Sequence, residues 1–165
     1  MTQEQGTALD LSGKYLTFSL AGEHYGIRIM KIKEIIGIMP ITFVPQTPPQ
    51  VKGVINLRGK VIPVVDLRLA FGLEQKDYID RTCIIVVEVA GEAGVVQIGI
   101  VVDTVSEVMS LRAEDIEPPP AFGGSVKTEY ILGMAKSGDG VKILLDIDRV
   151  LTKGASESLP EQMAA

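Results

Sequence analysis

Side chains that could carry out chemistry are few in this sequence, and they are scattered. His24, the one histidine, stands beside an Ala21-Gly22-Glu23 turn with no serine or cysteine nucleophile in a motif context. A general base needs a partner within hydrogen-bond reach, so a solvated hairpin histidine is the plainer reading. Cys83, the one cysteine, opens the apolar run CIIVVEV, which should bury it, and buried thiols are inert. It has no partner for an intramolecular disulfide, and that points to a reducing, cytoplasmic compartment. The segment GVVQIG at 94–99 comes nearest to a dinucleotide fingerprint, yet it lacks the Gly-x-Gly turn and lies in a strand-like run. No metal-ligand spacing or phosphate-binding loop is present. Glu114 and Asp115 read as a solvated loop. Asp66 and Asp146 precede the short stretches LRLAFG and IDRVL, where a carboxylate accepts hydrogen bonds from the free N–H groups of a new helix. Both read as caps rather than catalysts, and the chain offers no catalytic residue, cofactor site or metal site.

The elements that must position these residues follow from composition and pattern. With 165 residues, 46% of them hydrophobic, the chain can bury a core as one domain or two very small ones. Aromatics are only 5% and Trp is absent, while Val and Ile dominate, so the core is built from β-branched residues that favour strands. A net charge of −5 argues against a nucleic-acid partner, whose phosphates need a basic stripe. The opening MTQEQGTALDLSG has neither a basic nor an apolar leader region, and no run reaches the roughly 20 apolar residues that span a bilayer. The expectation is a protein neither exported nor integral to a membrane.

Residues 1–13 and 153–165 are small and polar without apolar periodicity, and read as mobile tails around one ordered region, 14–152. That region repeats itself weakly. LAGEHYGIRIMKIKEI is echoed by VAGEAGVVQIGIVVDTVSEV if the second hairpin loop is four residues longer, which places Gly26 on Gly99, 73 residues on. GKVIPVVDLRLAFG is echoed by DGVKILLDIDRVL, with Asp66 falling on Asp146, 80 residues on. Two copies of one unit, approximately 14–72 and 82–151, explain the shared order of features economically. Resemblance of Val- and Ile-rich strands by composition alone is the competing account. Each unit has about five strand-like segments, in the first YLTFSL, HYGIRI, GIMPITFV, VKGVINL and KVIPVVDL. Five short strands favour a small closed barrel, which leaves few open edges. The expected fold is therefore all-β with short helices, as two five-stranded barrels packed side by side. Within it MKIKEII, with Ile32, Ile35 and Ile36 at helical spacing, predicts one or two helical turns ended by Gly37.

What remains is the stretch GVINLRGKVIPVVDLRLAFG at 53–72, in which Arg58 interrupts two apolar runs. If both runs are buried strands, the interruption is a surface turn and Arg58 is displayed. The Ile and Val stripes on 25–43 and 83–108 exceed what small barrels can bury, so part of them faces outward and awaits a partner. The pattern favours a binding module over an enzyme.

The order YLTFSLAGEHYGIRIMKIKEI, VPQTPPQVKGVINLRGKVIPVVDLRLAFG, IGIVVDTVSEVMSL, TEYILGMAK and ILLDIDRVL resembles the CheW family of bacterial chemotaxis coupling proteins over roughly 14–152. KGVINLRGKVIPVVDLR is the most specific part. The resemblance implies SH3-like barrels, allows one strand to be exchanged between them, and implies no enzymatic activity. It implies a cytoplasmic adaptor between the regulatory domain of the histidine kinase CheA and the cytoplasmic tip of chemoreceptors, reaching the membrane only through those receptors. The family's receptor contact carries over to Arg58 with Asn56 and Gly53 beside it, and to Cys83 and Ile84 on the adjoining strand. Its kinase contact carries over to Ile32, Glu34, Ile35 and Gly37. Cys83 departs from the valine that many members have there. A scaffold in another array-based signalling pathway and a small ligand-binding barrel are the alternatives.

Overall fold

A computed structural model of the chain describes residues 10–91, 94–120, 129–138 and 140–154. Most of both tails, and the AFGGS end of the Pro-rich loop, lie outside the described residues. The strands are β1 (Gly13–Leu20), β2 (Glu23–Arg28), β3 (Ile32–Gly37), β4 (Val51–Leu57), β5 (Lys60–Asp66), β6 (Cys83–Gly91), β7 (Gly94–Val102), β8 (Thr104–Leu111), β9 (Ile116–Glu117), β10 (Ile131–Ser137) and β11 (Gly140–Leu145). A four-residue helix α1 (Leu67–Ala70) follows β5, and a helical segment at Arg149–Gly154 follows β11. Among the described residues no helix is long and apolar enough to cross a bilayer. The protein is all-β, as its Val- and Ile-rich composition requires.

The strands form two sheets, ordered β8-β1-β2-β11-β10-β9 and β3-β6-β7-β5-β4. Neither ladder closes into a ring. Between the edges β3 and β4 of the five-stranded sheet the gap is spanned by a proline-rich strap, residues 38–50, which contributes only the Thr42–Val54 bridge. Prolines 40, 45, 48 and 49 lack the N–H that a continuous rung pattern needs. Nor do the sheets follow the linear halves 14–72 and 82–151, because the β1–β2 hairpin lies in the sheet of β8, β10 and β11, while β6–β7 lies with β3, β4 and β5. The repeat is nonetheless present in space. Gly26 pairs in parallel with Leu144, and Gly99 with Val64, so the same two glycines face the same strand position in both sheets. The four extra residues appear as a β6–β7 hairpin that is longer than β1–β2.

Strand alternation sorts the core. Ile85, Val87 and Val89 of β6 face a shared core with Leu16, Phe18, Leu20, Ile27, Ile100 and Leu145, which joins the two sheets. The intervening Ile84 and Val86 face the other way, into a separate core with Ile55, Ile62, Val64 and Val101. Tyr15, Leu111, Ala135 and Leu144 make the corresponding core of the six-stranded sheet. A strand with both faces buried explains the unbroken apolar run CIIVVEV.

The helix expected at MKIKEII is not there. Only Ile29–Lys31 forms a 3-10 turn, and Ile32–Gly37 is strand β3. A register shift between Ile32 and Glu34 in the β3–β6 ladder changes which side chains face inward, so Ile32 packs against the shared core and Ile36 against the separate one. That bulge is what imitated a helical period. It also displaces the third strand of the first unit from GIMPITFV to IKEIIG. The caps are as expected, with Asp66 Oδ1 accepting from Arg68 N at 3.0 Å and Asp146 Oδ1 from Arg149 N at 3.3 Å.

Two ionic latches hold the sheets together where the chain crosses between them. Asp103, between β7 and β8, takes Arg68 Nε and Nη2 at 2.8 and 2.7 Å and the backbone N–H of Ala21 at 2.9 Å. Asp148 takes Lys31 Nζ at 2.6 Å and the N–H of Ala90 at 2.9 Å. Each aspartate grips a hairpin of the opposite sheet. The Arg68 hydrogen bonds, with help from Ala21, hold the Asp103 carboxyl below the usual carboxylate range against the opposing effect of burial. A lowered folded-state pKa stabilises the fold above the unfolded carboxylate pKa, and that contribution is lost as pH falls through the folded value. Arg68→Met should therefore lower stability at neutral pH by about 2 kcal/mol. The difference from the parent should shrink as pH falls below the ordinary carboxylate range, which thermal melts at a series of pH values would read. An equal loss at every pH would mean that Arg68 acts only through packing.

Candidate functional site

Arg58 and Gly59 form the two-residue turn between β4 and β5, with φ of +52° and +88°. Positive φ at both positions defines a type I′ hairpin turn, which normally holds Asn-Gly because a bulkier side chain is disfavoured there by about 1 kcal/mol. Asn56 supports the turn, its Oδ1 accepting from Gly59 N at 2.8 Å. The turn projects the Arg58 guanidinium into solvent, with 68% of the side chain exposed, and pairs it with Glu34 of β3. That ion pair spans the edge gap which the ladder leaves open.

The residues attributed to two separate contacts thus converge. Arg58 of the first set bonds Glu34 of the second, and Cys83 of the first set pairs with Gly37 of the second in the β3–β6 ladder. Ile35, 42% exposed, stands on β3 next to Glu34. Exposed Ile29 and Met30 precede it, and Lys31 and Lys33 supply a charged rim. Cys83 is half-buried, its Sγ against the Arg81 carbonyl at 3.3 Å. Ile84 is fully buried in the separate core and presents no surface. Gly53 is buried too, at φ +142°, where a Cβ would run into the Thr42 carbonyl of the strap. Its place is structural, since it lets the strap close on β4. Ile32 is half-buried against the shared core.

Among the described residues the side chains capable of chemistry are few, and most are already bonded. His24 is exposed on β2, 3.4 Å from Ser19 Oγ, with no carboxylate in the pair to orient the ring. The polar cleft of about 110 Å³ beside α1 contains Asp66 and Asp103, both already engaged. Asp66 accepts from Arg68 N and, at 2.7 Å, from Tyr78 Oη, and Asp103 is held by Arg68. Burial, together with Asp66, pushes the Tyr78 hydroxyl far up, so it stays a donor. Among the described residues no group of three His, Cys, Asp or Glu side chains could hold a metal. The interior of the five-stranded sheet is filled by Ile55, Ile62, Val64, Ile84, Val86 and Val101. Chemically, the arrangement can present a rigid cation, an adjacent carboxylate and an apolar strip, which suits binding.

The CheW-like domain family model matches residues 14–155, nearly the whole described chain. The chain belongs to the CheW-like family. It is 42% identical over 139 residues to the chemotaxis protein CheW of Klebsiella aerogenes, covering 84% of this chain and 81% of that one. It is 31% identical over 150 residues to the chemotaxis protein CheW of Treponema pallidum, covering 87% and 85%. Its fold resembles the crystal structure of the scaffolding protein TtCheW from Thermoanaerobacter tengcongensis, with a TM-score of 0.75, 36% identity, and coverage of 86% and 94%.

Reasoning from sequence did not find the contact between Arg58 and Glu34, nor the latches at Asp103 and Asp148. For the latches a signal exists. Arg68 and Asp148 occupy equivalent places 80 residues apart with opposite charges, and each has an oppositely charged partner at a crossing between the sheets.

Proposed function

We propose that this CheW-like chain is a cytoplasmic, non-enzymatic adaptor that joins the regulatory domain of a CheA histidine kinase to the cytoplasmic tip of chemoreceptors. The observation that carries this reading is the Arg58 turn, a strained I′ turn with arginine where Asn or Gly would be easier. It is secured by Asn56 and displays a guanidinium paired with Glu34, whose strand neighbour Ile35 is exposed on the other face of β3. Five donors in a rigid fork suit a carboxylate or an exposed carbonyl on a receptor helix. Exposed Ile29 and Met30 on the approach to β3 and Ile35 on it, with Lys31 and Lys33 close in the chain, suit an apolar patch on the kinase domain. The names of the relatives, chemotaxis proteins and a scaffolding protein, agree with this role.

Calorimetry with a purified kinase regulatory domain and, separately, with a receptor-tip fragment tests it. Saturable binding to both is expected. Ile35→Asp should weaken kinase binding at least tenfold with an unchanged melting temperature, because Ile35 contributes little to the core. Binding to neither partner would remove the proposal.

A further inference from the structure

The parallel ladder between β5 and β7 is short, with rungs Val64–Gly99, Val65–Ile100 and Asp66–Val101. Its counterpart between β11 and β2 starts one residue earlier, at Ile143–Tyr25. The position equivalent to Ile143 in the five-stranded sheet is Pro63. Leu57 and Lys60 flank a two-residue turn and so form a hydrogen-bonded pair. Rungs alternate along the β4–β5 hairpin, which turns the Pro63 nitrogen away from β4 and toward β7, and that nitrogen has no hydrogen to donate. With this rung missing, the β4–β5 and β6–β7 hairpins diverge like the tines of a fork. Between them opens a cleft of about 610 Å³, with Lys60, Val61 and Pro63 on one wall and Glu88, Val95 and Val96 on the other.

Three valines at its mouth are exposed, Val61 by 66%, Val95 by 71% and Val96 by 42%. Two of them sit on the longer hairpin, the one that extends beyond the length of its counterpart. The walls carry opposite charges, a lysine on one and a glutamate on the other. We infer that this cleft pairs two copies of the chain, each lodging the partner's β6–β7 hairpin between its own tines. A two-fold axis perpendicular to the strands lets the hairpins enter tip first and sets Lys60 of each copy against Glu88 of the other, so one patch is complementary to itself. An apolar hairpin that is both wall and knob, with one charge of each sign flanking it, fits a second copy better than a partner of uniform charge. Three valines a side fall well short of the roughly 1,600 Å² of a stable interface, so the pair is weak, with a dissociation constant on the order of 100 μM or higher.

Sedimentation velocity on the full chain from low micromolar to about 1 mM tests the inference, the upper limit being set by that expected affinity. A concentration-dependent shift from monomer to dimer is expected. Lys60→Glu and Glu88→Lys should each weaken self-association at least tenfold, because each replaces two attractions with two repulsions. An equimolar mixture of the two variants should associate again, since the heteropair restores both attractions. Val95→Asp should weaken pairing without involving either charge, and circular dichroism melts would confirm that all variants are folded. A chain that stays monomeric throughout, a dimer indifferent to these reversals, or a mixture that fails to associate would each overturn the inference.

Discussion

Arg58→Asn is expected to lose receptor binding by roughly 30-fold or more, corresponding to about 2 kcal/mol, while leaving the protein as stable as the parent or slightly more so. The substitution separates two roles of one residue. Asparagine is among the side chains best suited to positive φ, so the I′ turn gains up to about 1 kcal/mol on losing arginine at φ +52°. Against this stands the ion pair to Glu34, whose arginine side is largely exposed, and such pairs contribute about 0–1 kcal/mol. The terms nearly cancel in the fold and do not cancel at an interface that uses the guanidinium. Glu34→Gln is the control, because it frees Arg58 without removing it. If it damages receptor binding as much as Arg58→Asn does, the pair acts by holding β3 to the turn and not by direct contact. Calorimetry with the receptor fragment, alongside thermal melts, separates these outcomes.

Gly53→Ala should be the most damaging small substitution in the fold, with a loss of about 3 kcal/mol and a fall of roughly 10 °C in melting temperature. Gly53 has φ +142°, a region closed to side chains, and its missing Cβ leaves room for the Thr42 carbonyl. That carbonyl accepts from Val54 N at 2.9 Å, and Thr42 N returns a bond to the Val54 carbonyl at 2.8 Å. The methyl group would break the one bridge by which the strap closes the edge of β4. Both partners would then weaken together, as expected when the scaffold itself is disturbed. A variant melting within about 2 °C of the parent would show that the strap does not need this approach.

How far the fold was legible depends on the kind of signal. The two aspartate caps were readable because a carboxylate just before a short apolar helix has one plain use, and both bonds are made. The 73- and 80-residue echoes were readable because equivalent glycines must face equivalent strands, Gly26 beside Leu144 and Gly99 beside Val64. Local periodicity misled at Ile32, Ile35 and Ile36, where a bulge shifts the alternation by one residue and mimics a helical spacing. Ring closure was inferred from strand count, but the proline strap cannot supply rungs, and the exchange of hairpins between sheets leaves no mark on residue order. At the candidate site, Arg58 was legible as a turn residue between two buried strands. Its bond to Glu34 was not, because the two are 24 residues apart and meet only through the curvature of the sheet. Ile84 was carried over as a contact residue from the family resemblance, although strand alternation turns it inward beside Cys83.

The central claim is that this CheW-like protein acts by bridging and supplies no chemical step. Titration of the protein into fixed amounts of kinase and dispersed receptor fragment, with kinase autophosphorylation as the readout, tests that claim most directly. A bridge raises the effective concentration of one partner near the other only while it holds both. Activity should therefore change little without receptor, rise as the adaptor approaches stoichiometry, and fall again in excess, when surplus copies occupy kinase and receptor separately. Strong activation of the kinase by the adaptor in the absence of receptor would contradict the account.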